Sequence, residues 1–263
     1  MLSCPSNESY GHADAYRTYV GLNDWTPVDG RIQHGWSAIG AAPVGDRFDK
    51  QGIKFHIWSE KCKKGYYYAD SVNLPIDRTY IVGAPILYID PSNNIAGTGN
   101  LFVPSHSILD NKIAKEKWQA YVKFVKDSSS NGTILMHQRD IDLGYDKIVK
   151  EAGLNVVTVG HVRSIDFLHN LSIIILLHEK LISNCIQTVC FYALYLGRYV
   201  LVDTSVKTDH SSDVRQAFDR DWIRLNHPYF LKGTNDASLA SPVLGTKKPI
   251  DFIKSAMFPH VSF

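Results

Sequence analysis

Apolar and polar positions follow two alternating patterns through the second half of the chain. Short runs of β-branched and aliphatic residues predict buried strands, and the segments between them place apolar residues at every third or fourth position, which predicts helices. The predicted strands are Asn100–Pro104, Thr133–Met136, Asn155–Val159, Leu181–Ser183 and Tyr199–Val202, and the predicted helices are Ile113–Lys126, Gly144–Ala152, Ser164–Glu179 and Thr188–Leu196. A strand–helix alternation at about 20–25 residues per unit is typical of βαβ units in a parallel sheet.

The first half has a less regular pattern that fits a similar layer. It predicts helices over Gly11–Val20 and Glu60–Ala69 and strands over Gly30–Gln33, Lys54–Trp58 and Thr79–Val82. The segment Asp90–Gly99 is rich in turn-forming residues and is predicted to link two lobes. We therefore predict an α/β fold with two Rossmann-like lobes whose parallel sheets face a cleft. The N-terminal lobe is residues 1–96, and the C-terminal lobe, residues 97–263, carries the C-terminal helices.

The composition narrows the class of protein. The 263 residues are 44% hydrophobic and 21% charged, which is typical of a globular domain and excludes a disordered chain. The 28 basic and 26 acidic residues give a net charge of +2, so no nucleic acid is expected as a partner. Four cysteines in no metal-binding spacing, an N-terminus without a signal-peptide pattern and no apolar run of membrane-spanning length predict a reduced, cytoplasmic protein.

Polar residues follow the predicted strands of the second half, at the ends that a parallel sheet brings to one edge. Ser183 and Asn184 end one strand, and Thr188 stands at the start of the next helix. Free N–H groups at a helix N-terminus favour a phosphate, and these side chains add hydroxyl and amide donors. The alternative is an ordinary strand–helix turn in which Thr188 caps the helix.

Basic residues follow the neighbouring strand. Gly160, His161 and Arg163 come directly after Asn155–Val159. The guanidinium group of arginine offers a fixed fork of donors that suits phosphate or carboxylate, so these residues are candidates for the same site. The alternative is a structural ion pair between Arg163 and Asp166 in the first turn of the next helix.

Further histidines occur where strands or helices meet loops. His34 lies where a strand runs into a glycine, His12 and Asp14 stand at the start of an early helix, and Ser105 and His106 follow the first strand of the second lobe. Histidine is the commonest general base near neutral pH, although a single loop histidine is more often structural or merely exposed. We take His34, His12 and Asp14 as catalytic candidates and Ser105 and His106 as candidates on the nucleotide side.

The motifs of several enzyme classes are absent from the sequence. There is no GxGxxG, GxxxxGK[ST], GxSxG or HExxH, which argues against nicotinamide dehydrogenases, P-loop NTPases, serine hydrolases and zincins. Two Asp-x-Asp triplets, Asp140–Asp142 and Asp219–Asp221, have the pattern used by metal-dependent sugar transferases. Such triplets are common by chance, and we predict no metal site.

Five segments in order carry a resemblance to a known family: QHGW, IVGAPILY, FVPSHS, VTVGHVRSIDFL and LISN…T…YALYLGRYV. Together they resemble a bacterial family of GT-B glycosyltransferases that make surface polysaccharides such as capsule and O-antigen. The likeness covers roughly residues 10–205. The HG and SN…T…YALYLG segments are more distantly similar to enzymes that transfer glycerophosphate, sialic acid or Kdo.

The resemblance implies a metal-independent transferase without a cofactor, because the nucleotide-activated sugar is a substrate. The N-terminal lobe would bind the acceptor, a polysaccharide or lipid-linked glycan, and the C-terminal lobe would bind the nucleotide. The residues implied to hold the donor are Gly160, His161, Arg163, Ser183, Asn184 and Thr188, and His34 would lie across the cleft near the transferred group. The enzyme is expected to be cytoplasmic, and its association with the inner face of the membrane or with a biosynthetic complex is left open.

Two departures from the family pattern leave other functions open. Gln187 stands where the family has a glycine, which would hinder the close approach of the backbone to a phosphate, and the chain is short for a full GT-B enzyme. A non-catalytic binding subunit with a degenerate site is one alternative. A nucleotide-sugar epimerase is another, and paired acidic residues in the cleft would favour it.

Overall fold

The chain divides into two compact units. The structure is a computed structural model that describes residues 4–23, 25–37, 40–41, 52–63, 76–91, 95–107, 112–206, 217 and 219–263. Unit 1 comprises Met1–Pro91, Val162–His169 and Ala240–Phe263, and unit 2 comprises Ser92–His161 and Asn170–Leu239.

The elements are numbered here in chain order. The strands are β1 (Arg31–Ile32), β2 (Trp36–Ser37), β3 (Gly40–Ala41), β4 (Phe55–Ile57), β5 (Thr79–Ile81), β6 (Asn100–Val103), β7 (Thr133–Leu135), β8 (Asn155–Val157), β9 (Lys180–Ser183) and β10 (Tyr199–Val202). The α-helices are α1 (His12–Val20), α2 (Lys115–Ser128), α3 (Gln138–Asp142), α4 (Asp146–Glu151), α5 (Phe167–Leu176), α6 (Thr188–Tyr195), α7 (Arg220–Asn226), α8 (Pro228–Lys232), α9 (Ser241–Leu244) and α10 (Ile250–Met257). Short 3-10 helices cover Pro5–Gly11, Ile76–Arg78, Pro85–Tyr88 and Ala237–Ala240.

Unit 1 is built on a small parallel sheet. Among its described residues the strand order is β1-β4-β5, and β2 and β3 form an antiparallel pair. All three residues of β4 are buried, because this strand has a neighbour on each side. Helix α1 contacts α10 and the 3-10 helix Pro85–Tyr88, and the Tyr16 hydroxyl donates to the Gly83 carbonyl. The core of unit 1 therefore joins residues from both ends of the chain.

Unit 2 is built on a larger parallel sheet. Its described strands lie in the order β10-β9-β6-β7-β8, and every neighbouring pair is parallel. The chain runs outward from β6 through β7 to β8, and then continues on the other side of β6 with β9 and β10. The strand order therefore reverses between β6 and β9, and ligands of open α/β sheets bind at such a switch point, beyond the carboxyl ends of the strands. Helix α2 covers one face of the sheet with Trp118, Tyr121 and Val125.

The predicted fold class is confirmed: the protein is α/β, with a parallel sheet in each unit. The strand predictions of the second half agree with β6 to β10 within one or two residues. The predicted helix Ser164–Glu179 is shorter in the structure, because 164–166 form a turn and α5 begins at Phe167. Of the helix predicted over 60–69, residues 60–63 are helical and the others lie outside the described residues, as do 92–94 of the predicted linker.

The division into units differs from the predicted division at residue 96 in three segments. Unit 2 begins at Ser92, so it includes 92–96, which the prediction placed in the N-terminal lobe. Residues 162–169 and 240–263 belong to unit 1, although the prediction included them in the C-terminal lobe. Backbone hydrogen bonds explain both assignments, because the Tyr10 N–H donates to the Val162 carbonyl and the Ala84 N–H donates to the Leu244 carbonyl. Such pairings between distant segments leave no mark in local sequence patterns.

Within the described part of the chain, no helix is both long enough and apolar enough to cross a bilayer.

A buried ion cluster fixes the start of unit 1. The Arg17 side chain is 2% exposed, and its guanidinium group lies 2.7 Å from the Asp14 carboxylate and 2.6 Å from the Glu8 carboxylate. Arg17 Nε also donates to the Thr26 carbonyl at 2.6 Å. Removing one partner of a buried ion pair leaves an uncompensated charge, which is costly.

We predict that Arg17→Met lowers the free energy of unfolding by about 3 kcal/mol, because the buried Asp14 loses its counter-charge. The matched control is Lys150→Met, which removes an exposed pair of 2.7 Å with Asp146 on α4. That pair is expected to contribute about 0.5 kcal/mol or less. Urea denaturation of both variants measures the difference. Equal losses would show that the Arg17 cluster contributes no more than a surface pair.

Candidate functional site

The carboxyl ends of the five parallel strands in unit 2 form one edge, and most of the predicted nucleotide-side residues stand there. Beyond this edge lie residues 104–107 after β6, 136–137 after β7, 158–161 after β8, 184–187 after β9 and 203–206 after β10.

The switch point between β6 and β9 is spanned by side-chain hydrogen bonds. Asn184 Oδ1 accepts from the Ser105 N–H at 3.0 Å, and Asn184 Nδ2 donates to the Val206 carbonyl at 3.3 Å. The Ser183 hydroxyl donates to the Val103 carbonyl at 2.9 Å. Asn184 and Ser183 are fully buried, and Ser105 is buried. The structure thus brings these three predicted residues together, and they hold the loops after β6, β9 and β10 in register.

Gln187 determines the form of the turn before α6. It is the N-cap residue, with extended backbone angles, and no side chain caps the helix there. Its side-chain amide turns toward β6 and donates to the Ser183 hydroxyl at 2.9 Å and to the Val103 carbonyl at 3.2 Å. Thr188 is therefore the first helical residue and not the cap. The Gln187 side chain braces the strand ends instead of capping the N-terminus of α6.

Two histidines stack at the neighbouring strand ends. The rings of His106, after β6, and His137, after β7, have centroids 4.3 Å apart and an interplanar angle of 16°. His137 Nδ1 accepts from the Arg139 N–H at 3.2 Å, which makes His137 the side-chain cap of α3. Its Nε2 is buried and has no hydrogen-bond partner among the described residues. Burial, followed by the charges of His106 and Arg139, lowers the pKa of His137 to about 4.

A neutral imidazole whose Nδ1 accepts must carry its hydrogen on Nε2. His137 therefore has a buried N–H donor without an acceptor in the part of the chain that the structure describes, and buried donors in proteins are nearly always satisfied. An acceptor oxygen of a ligand would satisfy it. We did not predict His137 from the sequence, although the available signal was the one used for His106 and His161: a polar residue directly after a buried strand.

The Asp-x-Asp triplets have partners within the protein. Asp140 is fully buried, and both of its carboxylate oxygens lie 3.2 Å from the Ser107 N–H. Asp142 accepts from Gln138 at 2.8 Å. Asp219 caps α7 by accepting from the N–H groups of Asp221 and Trp222. Among the described residues, no group of three or more metal-binding side chains comes together.

The segment after β8 is divided between the units. Gly160 has a φ of 91°, which favours glycine, and its N–H donates to the Thr158 hydroxyl at 3.0 Å. His161 is exposed, belongs to unit 2, and contributes to the electrostatic environment of His137. Arg163 is also exposed, but it belongs to unit 1. The predicted donor residues therefore do not all lie in one unit.

The catalytic candidates lie together in unit 1. The rings of His12 and His34 have centroids 6.3 Å apart, and that of Tyr10 lies 4.9 Å from His34. His12 is buried, and desolvation, followed by the charge of His34, lowers its pKa to about 3. His12 is therefore neutral at pH 7. The neighbouring His34 is half-buried. Asp14 is held by Arg17, as described above, which ties its carboxylate to a structural pair.

The chain was compared with known proteins. No protein-family model matches it, and no curated protein sequence matches it. A structure of S. aureus MnaA with UDP is similar to this chain at 10% sequence identity and a TM-score of 0.40. The matched region covers 73% of this chain and 56% of the MnaA chain. The structure of WaaG, a glycosyltransferase involved in lipopolysaccharide biosynthesis, is similar at 11% sequence identity and a TM-score of 0.32. The matched region covers 74% of this chain and 64% of the WaaG chain. The chain thus spans less than two thirds of the length of either structure.

We predict that His12 stays neutral in the folded protein down to about pH 4, because its folded pKa is about 3 and its unfolded pKa is about 6.5. Between these values the unfolded chain binds a proton that the folded chain does not, so His12 lowers the free energy of unfolding as pH falls from 6.5 toward 3. An NMR titration of the imidazole signals tests this. A His12 midpoint near its unfolded value would contradict the buried environment. His12→Phe should make the loss of stability with falling pH less steep.

Proposed function

We propose that the chain is a glycosyltransferase of the GT-B type. It moves a sugar from a nucleotide-activated donor to a glycan or lipid-linked glycan acceptor in bacterial surface-polysaccharide synthesis. The family resemblance suggests this reaction. The observation that carries the proposal is the buried Nε2–H of His137, which no described residue accepts. The ring is stacked on His106 at the carboxyl edge of a parallel sheet, one strand from its switch point.

This edge suits the phosphates of a nucleotide. A phosphate oxygen can accept from His137 Nε2, and the dipole of α6 favours negative charge near the same edge. In the transfer, the acceptor hydroxyl forms a bond to the anomeric carbon, and the bond from that carbon to the donor phosphate breaks. The leaving phosphate gains negative charge, so donors placed at it stabilise the transition state. We propose that these groups, and no resident metal ion or cofactor, carry out that stabilisation.

The acceptor hydroxyl must lose a proton during the transfer. His34 is the proposed base, because it is half-buried while the neighbouring His12 has its pKa lowered to about 3. In this proposal His12 is a neutral ring beside His34. Asp14 helps to position α1 through its ion pair with Arg17. Gly160, His161 and Arg163 remain proposed donor contacts. The proposed location is the cytoplasm, at the inner face of the membrane when the acceptor is lipid-linked.

One observation favours a second candidate, a non-catalytic binding subunit. Ser183, Asn184 and Gln187 direct their hydrogen bonds to other protein groups, as they would in a site that no longer binds a nucleotide. Asp140, by contrast, does not support an epimerase, since it is fully buried and bonded to a backbone N–H.

The first test is binding. We expect UDP, CMP, GDP or ADP to raise the melting temperature of the protein, because at about 100 times Kd a ligand adds roughly 2.7 kcal/mol to folding stability. His137→Ala should weaken the binding of the nucleotide that gives this shift by about tenfold, because one hydrogen bond to a charged group is lost. The control is His260→Ala, an exposed histidine near the C-terminus. No shift with any nucleotide would favour the non-catalytic subunit.

The second test separates chemistry from binding. His34→Ala should lower the turnover of the nucleotide-sugar about 100-fold or more, because a general base contributes about two to four orders of magnitude. Its nucleotide affinity, measured by calorimetry, should remain that of the wild type. His169→Ala removes an exposed histidine of the same unit and serves as the control. A loss of affinity in His34→Ala would assign His34 to nucleotide binding instead.

A further inference from the structure

The two stacked histidines are held in opposite tautomers. His106 Nδ1 lies 3.1 Å from the Ser107 carbonyl oxygen. A carbonyl can only accept, so this nitrogen carries a hydrogen, and in the neutral ring Nε2 keeps its lone pair. His137 has the reverse arrangement, because its Nδ1 accepts from the Arg139 N–H and its hydrogen is on Nε2. The neutral pair therefore has one Nε2 donor and one Nε2 acceptor.

The two rings differ in what a proton would do to them. A proton on His137 would bind at Nδ1. The new Nδ1–H would then face the Arg139 N–H, so the hydrogen bond that caps α3 would be lost. A proton on His106 would enter at Nε2 and leave the bond to Ser107 intact. The geometry thus lets His106 become a cation and keeps His137 neutral. Among the described residues, the other charged and titratable groups that interact with this pair or with Asp140 are Arg139 and Asp142 on α3, Tyr145 before α4 and His161 after β8.

Asp140 holds the residue whose carbonyl sets the His106 tautomer. Both of its carboxylate oxygens lie 3.2 Å from the Ser107 N–H, and the Ser107 carbonyl is the group that His106 meets. The Ser107 hydroxyl accepts from the Ile113 N–H at 3.0 Å, which holds the same residue from its other side. Asp140 is itself rigidly placed, since it is fully buried in a helix that His137 caps.

We propose that Asp140 is a positioning residue: by holding the Ser107 N–H it fixes Ser107, whose carbonyl sets the tautomer of His106, so that His106 becomes the cationic ring and His137 the neutral donor on a bound phosphate group. A phosphate anion then meets two N–H donors, one of them charged, without losing either structural hydrogen bond. The choice of ligand rests on the proposed function, whereas the tautomers do not.

The test uses the full-length protein labelled with 15N in the histidine rings. Without ligand, the 15N spectrum should show His106 with a protonated Nδ1 and an unprotonated Nε2, and His137 with the opposite pattern. His106→Gln and His137→Gln assign the signals. Addition of inorganic pyrophosphate, the probe for the phosphate group, should protonate Nε2 of His106 and leave His137 neutral.

Three variants isolate Asp140. Asp140→Ala should make His106 a mixture of tautomers and weaken pyrophosphate binding about tenfold. Asp140→Asn keeps an oxygen that can accept from Ser107 and should restore the wild-type tautomer. Asp127→Ala, an exposed carboxylate near the end of α2, should change neither property. If Asp140→Ala does not fold, Asp140→Ser takes its place, because its hydroxyl is too short to reach the Ser107 N–H and the same mixture of tautomers is expected.

The outcomes separate two claims. A wild-type His106 with its hydrogen on Nε2, or an unchanged tautomer in folded Asp140→Ala, would overturn the positioning role. The expected tautomers together with no binding of pyrophosphate would support the positioning role but contradict a phosphate ligand, and with it the proposed function.

Discussion

The parallel pairing of β9 with β6 is the constraint on which the candidate site depends. This pair lies at the centre of the five-stranded sheet of unit 2, and it brings Ser183 next to Val103 in register. Because all neighbouring strands are parallel, the residue after every strand emerges at the same edge. A reversed β9 would send Ser183 and Asn184 to the opposite edge, and no loop rearrangement could bring Asn184 back to the Ser105 N–H. The site is therefore a consequence of the strand order before it is a consequence of any single side chain.

The polar groups at this edge serve two purposes. Asn184, Ser183 and Gln187 satisfy backbone groups of β6 and of the loops beside it, so they set the shape of the switch point. The histidines on the β7 side are different, because His137 keeps a buried N–H that no described residue accepts. A buried donor left unpaired costs free energy, whereas satisfied groups stabilise the loops. The satisfied polar groups therefore lie near β9, and the donor without a partner among the described residues lies near β7. Gln187 stands where the family resemblance predicts a glycine, and its side chain donates to the Ser183 hydroxyl.

Much of the fold could be predicted from the sequence, because its information is local. The β-branched runs form β8 and β10, where Val156 and Val157 are half-buried and Val200 and Val202 are buried. The apolar residues at helical spacing on α2 cover the sheet. The same reasoning predicted that Ser105, His106, Ser183 and Asn184 lie at one edge of the sheet, and each lies at a strand end or within three residues after it. It missed His137, although His137 directly follows the predicted strand Thr133–Met136. It also could not show that 162–169 belong to unit 1, because that depends on the pairing of Val162 with Tyr10, which no local pattern specifies. The Asp14–Arg17 pair is different, because it has i,i+3 spacing on α1, which the sequence shows.

The histidines illustrate how environment, and not residue type, divides chemical roles. His12 and His137 both have their pKa lowered by burial, to about 3 and about 4, yet their surroundings differ. His12 lies among aromatic rings in unit 1, so its neutrality makes it part of the packing around His34. His137 is neutral because burial lowers its pKa, and its Nδ1 accepts from the Arg139 N–H of α3, which fixes its hydrogen on Nε2. A lowered pKa therefore removes His12 as an acid but keeps His137 a donor at Nε2. His106 meets a carbonyl with its Nδ1, so its hydrogen is on that nitrogen, and the two stacked rings differ in the group that each offers at Nε2.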